Sequence, residues 1–234
     1  MARSRDKVAV YLEIGKKRVF AGTLDWPGWC RSGRDEESAL QALREYRTRY
    51  SRVVRPTGLE FPEVADVAAF AVVERLKGDA TTDFGAPGAA PSGDKAPVSE
   101  AELKRFQSLL KASWRAFDAA ATAGTGKELT KGPRGGGREL EVIVQHVLGG
   151  DEGYLSRLAW KPKKGEANDP TRQLAERRKE VLEALETAVT HGVPARGPRG
   201  GVMWTPRYFV RRVAWHVLDH AWEIEDRIPK SQSR

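Results

Sequence analysis

The chain has 234 residues, enough for one large domain or two small ones. Forty lysines and arginines against 32 acids give a formal charge of +8, which makes a polyanion a partner to test without establishing one. A single cysteine, Cys30, excludes an intrachain disulfide and fits a reducing compartment; no run reaches the ~18 consecutive apolar residues of a membrane span, so a cytoplasmic, soluble chain with no membrane partner is expected.

The first predicted element is a hairpin. In "KVAVYLEIGKKRVFAGTLD", Val8, Val10 and Leu12 alternate with Ala9, Tyr11 and Glu13. A Gly-Lys-Lys turn follows, and Val19 and Phe20 begin a second short run. "DWPGWCRSG" is dense in turn formers, and Trp26, Trp29 and Cys30 within it read as local core packing. Asp35 then caps a predicted helix whose apolar face is Ala39, Leu40, Leu43, Tyr46 and Tyr50. A further strand is expected at residues 70–73, giving a small β-β-α-β domain over residues 1–84. Residues 85–97, "GAPGAAPSGDKAP", hold three prolines and three glycines and read as a linker.

Beyond it the pattern turns helical, over residues 98–230. Ser99 with Glu102 three residues on is a capping box, and Leu103, Phe106, Leu110, Trp114 and Phe117 recur at helical spacing. A second helix follows a glycine-rich loop, with Leu140, Ile143, Val144, Val147 and Leu148 inward; the Gly149-Gly150 pair is expected to weaken or kink it. A third helix uses Leu174, Val181, Leu185 and Ala188 and stops at Gly192. The fourth opens at Thr205-Pro206 and runs to about Ile228. The expected fold class is therefore α+β overall, a small β-β-α-β domain followed by a four-helix bundle. The charge divides unevenly, with 16 bases and 14 acids in residues 1–96 against 24 and 18 in residues 97–234.

The fourth helix carries "VAWHVLDHAWEIEDR". His216 and His220 stand at i and i+4, with Cβ atoms roughly 6 Å apart on one face. Val213, His216, His220 and Ile224 form the stripe expected to turn inward. A buried ring nitrogen needs a partner, and a divalent ion at ~2.0–2.1 Å supplies one to both rings. His146, on the second helix beside its apolar face, makes a third candidate ligand. Three histidines from two helices leave coordination positions open for water and substrate. His191, just before Gly192, reads instead as a solvated C-terminal residue favoured by the helix dipole.

One histidine on the second helix followed by "HVLDHAWEIEDR" on the fourth resembles the DinB-like superfamily, over residues 97–230. That resemblance implies a four-helix bundle with His146, His216 and His220 as ligands of a divalent metal. Its relatives include mycothiol-dependent maleylpyruvate isomerases and bacillithiol transferases, so the implied cofactors are zinc, nickel or iron and a low-molecular-weight thiol such as mycothiol. Glu152 and Asp219 are candidate catalytic carboxylates, Glu152 either supporting a metal ligand from behind or shuttling a proton; Asp219 or Glu223 would orient an imidazole through its distal N–H. Arg211 and Arg212 read as surface charge that, near the ion, would hold the carboxylate of a thiol cofactor or substrate. Separately, "TLDWPGWCRSGRDEESALQAL" resembles the HicB-like fold over residues 8–50, although Trp29 intrudes before Cys30 and Arg34 precedes the expected acid.

Three functional readings follow, in order. The first is a metal-binding, possible metal-dependent thiol S-transferase or isomerase, whose partners are a small-molecule thiol and its acceptor. The second is a non-catalytic protein-interaction module acting through the HicB-like segment. The third is nucleic-acid binding through the basic loops "KGPRGGGR" and "KPKKG", ranked last because no base-reading motif accompanies them.

Overall fold

A computed structural model describes residues 7–131, 137–163, 169–197 and 201–229. The chain is mixed α+β, and its contacts separate into two units, Met1–Ala96 and Pro97–Arg234. Among the described residues no helix is long and apolar enough to cross a membrane.

The first unit is built on a four-stranded sheet of order β3-β2-β1-β4, from β1 (Val8–Ile14), β2 (Val19–Thr23), β3 (Cys30–Gly33) and β4 (Phe70–Lys77). β1 and β2 form the expected antiparallel hairpin, with Ile14 opposite Val19 and Val10 opposite Thr23. β4 lies parallel to β1, so the chain must cross between them, through α1 (Glu36–Glu45) and α2 (Arg47–Val54). Asp35 caps α1 by accepting from Ser38 N at 2.8 Å, and Ala39 and Leu43 are fully buried. Trp29 is buried as expected, stacked on Tyr50 at 5.8 Å, with its indole Nε1 donating to Leu43 O.

Three elements depart from the sequence reading. β3 arises within the stretch read as turn, because four residues are too few to show an alternation. β4 runs on through Lys77, and a short helix α3 (Ala80–Phe84) follows it, capped by Asp79. The third concerns residues 85–97, which were expected to link two domains. Of these, residues 85–96 fall in the first unit and are fastened to its sheet. Gly88 N and Ala89 N donate to the carboxylate of Glu13, as does the Thr82 hydroxyl, and Ser92 N and Oγ donate to Glu74. Glu13 is fully buried, and a buried carboxylate needs such donors. The prolines and glycines shape a strap whose backbone N–H groups point at an acid.

Among the described residues, the second unit has four long helices around one core: α4 (Glu100–Gly124), α5 (Leu140–Leu155), α6 (Pro170–His191) and α7 (Pro206–Arg227). Each begins and packs much as the periodicity predicts. Ser99 and Glu102 form the capping box of α4, Asp169 caps α6, and Thr205 precedes Pro206 at the start of α7. The core takes Leu103, Phe106, Leu110, Trp114 and Phe117 from α4, with Ile143 and Val147 from α5, and Val181 and Leu185 from α6. Phe209, Val213, Val217 and Ile224 of α7 complete it. A large aliphatic or aromatic side chain buried this fully contributes roughly 1.5–3 kcal/mol relative to exposure.

Gly149 and Gly150 do not interrupt α5, which continues through them to Leu155. The basic loops fall partly beyond the described residues, which omit 132–136 of "KGPRGGGR" and 164–165 of "KPKKG".

Candidate metal centre

α5 and α7 bring His146, His216 and His220 together. One ring nitrogen from each lies within 4.8 Å of the others. His146 Nε2 and His216 Nε2 are 3.2 Å apart, and the ring centroids stand 4.8–5.0 Å from one another. Two nitrogens bound to one ion at about 2.0–2.1 Å each are roughly 3–4 Å apart, a spacing that His146 Nε2 and His216 Nε2 already have, and the third ring offers a nitrogen within 4.8 Å. His216 and His220 are buried, whereas His146 is exposed and marks the side on which the cluster meets solvent.

The close approach depends on Gly150. A Cβ at that position would lie 2.4 Å from His216 Cε1 and 2.8 Å from its Nδ1, so only glycine lets α5 approach the imidazole this closely. Gly149 has nothing within 4 Å. The pair read as a weak point is therefore half contact surface.

Protonation favours ligation. Burial pushes His216 well below the ordinary imidazole value, with the nearby His220 and His146 rings acting in the same direction. His146 is lowered first by its partial burial, then by His220 and Arg138. Both rings are neutral near pH 7, as a metal ligand must be. His220 Nδ1 lies 2.7 Å from Glu223 Oε2, which places its proton on Nδ1 and leaves the Nε2 lone pair available. Glu223 is held below the usual carboxylate range by that hydrogen bond, against the effect of burial. Its other oxygen accepts from Arg227 Nη1 at 2.9 Å, and Arg227 Nε donates to Thr130 O at 2.8 Å. His220, Glu223 and Arg227 thus form a ladder along one face of α7, ending on the segment before α5.

The remaining sequence candidates are placed differently. Glu152 is half-exposed, its carboxylate 2.7 Å from Arg177 Nη2 of α6. It lines a shallow cleft with Leu148, Gln173, Glu176 and Arg177. Asp219 is half-buried beside His220, but the carboxylate that orients that ring is Glu223. Arg211 and Arg212 are not surface charge, since both are buried. Arg212 lies over the rings of Trp215, Tyr154 and Trp204 at 5.0–5.9 Å and donates to the Tyr154 hydroxyl at 3.2 Å. Tyr154 in turn meets His216 edge-on, with centroids 5.5 Å apart. His191 is exposed at the end of α6 and takes no part in the cluster, as expected.

Sequence reasoning missed Tyr154, Arg227 and Asp151. Arg227 had a visible signal, standing four residues after Glu223 and seven after His220. Asp151 had none. It is fully buried on α5 with neither carboxylate oxygen hydrogen-bonded, and burial pushes its pKa up to about 7 against the pull of Arg178 and Arg177.

Compared with protein-family models, with curated proteins and with solved structures, the chain matches none.

Proposed function

We propose that the chain is a divalent-metal-binding protein of DinB-like type, a four-helix bundle preceded by a HicB-like segment, and that it handles a low-molecular-weight thiol. The observation that carries this reading is the convergence of three of the chain's four histidines, with nitrogens within 4.8 Å. The donor set fits a borderline divalent ion such as zinc, nickel or iron. An ion held there would supply Lewis-acid charge that lowers the pKa of a bound thiol or water.

The chain's own residues have separable tasks. Glu223 fixes the His220 tautomer and ring orientation, and Arg227 fixes Glu223. Gly150 sets the approach of α5 to His216. Tyr154 stays protonated, because burial raises its pKa, and so keeps an O–H to donate beside His216. The exposed edge of His146 leaves a route for a small molecule.

The test is a thermal-shift and thiol-binding measurement on metal-loaded protein. A ligand that binds only the folded state raises the melting temperature by mass action. A small thiol should raise it for wild type and leave His216→Ala/His220→Ala unchanged. No thiol effect on metal-loaded wild type would overturn the thiol reading.

A further inference from the structure

Three residues of α5 and three of α7 face one another in order. His146, Gly150 and Tyr154 stand at i, i+4 and i+8 on one face of α5, and Arg212, His216 and His220 stand the same way on α7. They pair as three rungs. The rings of His146 and His220 have centroids 4.8 Å apart, Gly150 lies against His216, and the Tyr154 hydroxyl accepts from Arg212 Nη2 at 3.2 Å. The numbers rise along one helix as they fall along the other, so α5 and α7 run antiparallel here. The first two rungs contain the candidate metal site, and the third lies one turn beyond it.

The two buried ligand candidates are supported in different ways. His220 has Glu223 on its Nδ1. His216 turns Nε2 toward His146, which leaves its Nδ1 on the far side of the ring, buried and without a hydrogen bond. A ring with no acceptor behind it must take its orientation from packing. Gly150 bounds the Cε1–Nδ1 edge of His216, and Tyr154 meets the ring edge-on at 5.5 Å. Tyr154 is itself held twice, by the Arg212 hydrogen bond and by Trp204, whose ring is 5.2 Å away. Arg212 is buried with three aromatic rings at 5.0–5.9 Å, surroundings that attract and fix a guanidinium.

We propose that Tyr154 is the positioning residue of His216, and that Arg212 positions Tyr154. The third rung does for His216 by ring packing what Glu223 and Arg227 do for His220 by hydrogen bonds. This rests on the metal-site reading above.

The test titrates full-length protein with cobalt(II), whose visible absorption reports the geometry of its ligands. Wild type, Tyr154→Phe, Tyr154→Leu and Leu103→Ala are compared. Leu103 is a control for lost stability alone: it is buried on α4 next to Glu102, which bonds Arg207 at the start of α7, about 13 Å along that helix from His216. Tyr154→Leu should weaken cobalt binding about tenfold, the lower end for loss of a group that orients a ligand, and should change the spectrum. Tyr154→Phe keeps the ring and the charge of Arg212, so it should recover most of the affinity, staying about threefold below wild type for the missing hydrogen bond. Leu103→Ala should melt at a lower temperature without cobalt, yet bind it with wild-type affinity and spectrum.

Tyr154→Leu that matches wild type in affinity and spectrum overturns the inference and leaves the metal site standing. So does a loss of affinity in Leu103→Ala as large as that in Tyr154→Leu. Tyr154→Phe equal to wild type overturns the part given to Arg212, and overturns the whole inference if Tyr154→Leu fails to fold. Wild type that binds no cobalt overturns the metal reading and the inference at once.

Discussion

Two buried carboxylates show how differently the two units treat polar groups. Glu13, in the sheet of the first, is fully buried and accepts from Thr82, Gly88 and Ala89. Asp151, in α5 of the second, is equally buried and neither oxygen has a hydrogen bond. The contrast extends beyond this pair. Thr23, Trp29 and Tyr50 of the first unit each bond to a backbone carbonyl. Among the described residues, the buried side-chain atoms left without hydrogen bonds lie in the second unit, including Trp114 Nε1, Asp151 Oδ1 and Oδ2, and His216 Nδ1. Buried polar atoms in a stable domain are normally paired, so each exception calls for an explanation. The first unit spends its polar groups on holding a strap.

The largest expected effect is on the satisfied side of the comparison. Glu13→Ala strands three donors at once and should cost about 3–5 kcal/mol in chemical denaturation. Faster hydrogen exchange at Gly88 and Ala89 would localise the loss. A change below about 1 kcal/mol would mean the strap is not anchored there.

Asp151 should behave in the opposite manner. Its folded pKa is raised, from 3.8 to about 7, so its contribution is fully favourable below the unfolded value and is lost as pH rises through the folded one. Between about pH 4 and pH 7, wild type should therefore lose roughly 3–4 kcal/mol relative to Asp151→Asn. Measuring both proteins across that window cancels groups that titrate in common, such as Glu102, which is held down to about 2 first by the backbone N–H of Ser99. A flat difference would break the contrast between the two acids.

Next in size is Glu223→Gln. Loss of the carboxylate behind a histidine ligand typically weakens metal binding about 10–100-fold. Isothermal titration with zinc or nickel reads this directly, and unchanged affinity would remove Glu223 from the site.

The smallest effects concern adjacent glycines and should have opposite signs. Alanine inside a helix is normally favoured over glycine by about 1 kcal/mol. Gly149→Ala, with open space around it, should gain up to that amount. Gly150→Ala must displace His216 and should lose about 1 kcal/mol or more through overpacking, with weaker metal binding. Thermal melts of the two variants with and without metal decide it.

Much of this was legible in the sequence wherever periodicity or capping carries the information. The apolar faces of α4, α5 and α6, the Ser99–Glu102 box and the Thr205-Pro206 start depend on neighbours within a few residues, which a single sequence displays. So does the His216–His220 pair. What escaped depends on contacts distant along the chain. Residues 85–96 read as a linker because their proline and glycine content is local, whereas the acid that captures them, Glu13, lies more than 70 residues earlier. Gly150 read as a defect because the imidazole that requires it is on another helix. Glu152 was singled out by its spacing from His146, whereas its ion pair with Arg177 of α6 depends on a residue 25 positions away. Arg211 and Arg212 read as surface charge because arginine is usually exposed, whereas both are buried and Arg212 lies over aromatic rings.

The central claim, that His146, His216 and His220 share one ion, is tested most directly by metal content. Protein purified without a histidine tag should bind close to one equivalent of zinc, nickel or iron, and His216→Ala/His220→Ala should bind none with comparable affinity while keeping its helical content. Wild type that emerges metal-free and takes up none of the three on titration would contradict the account.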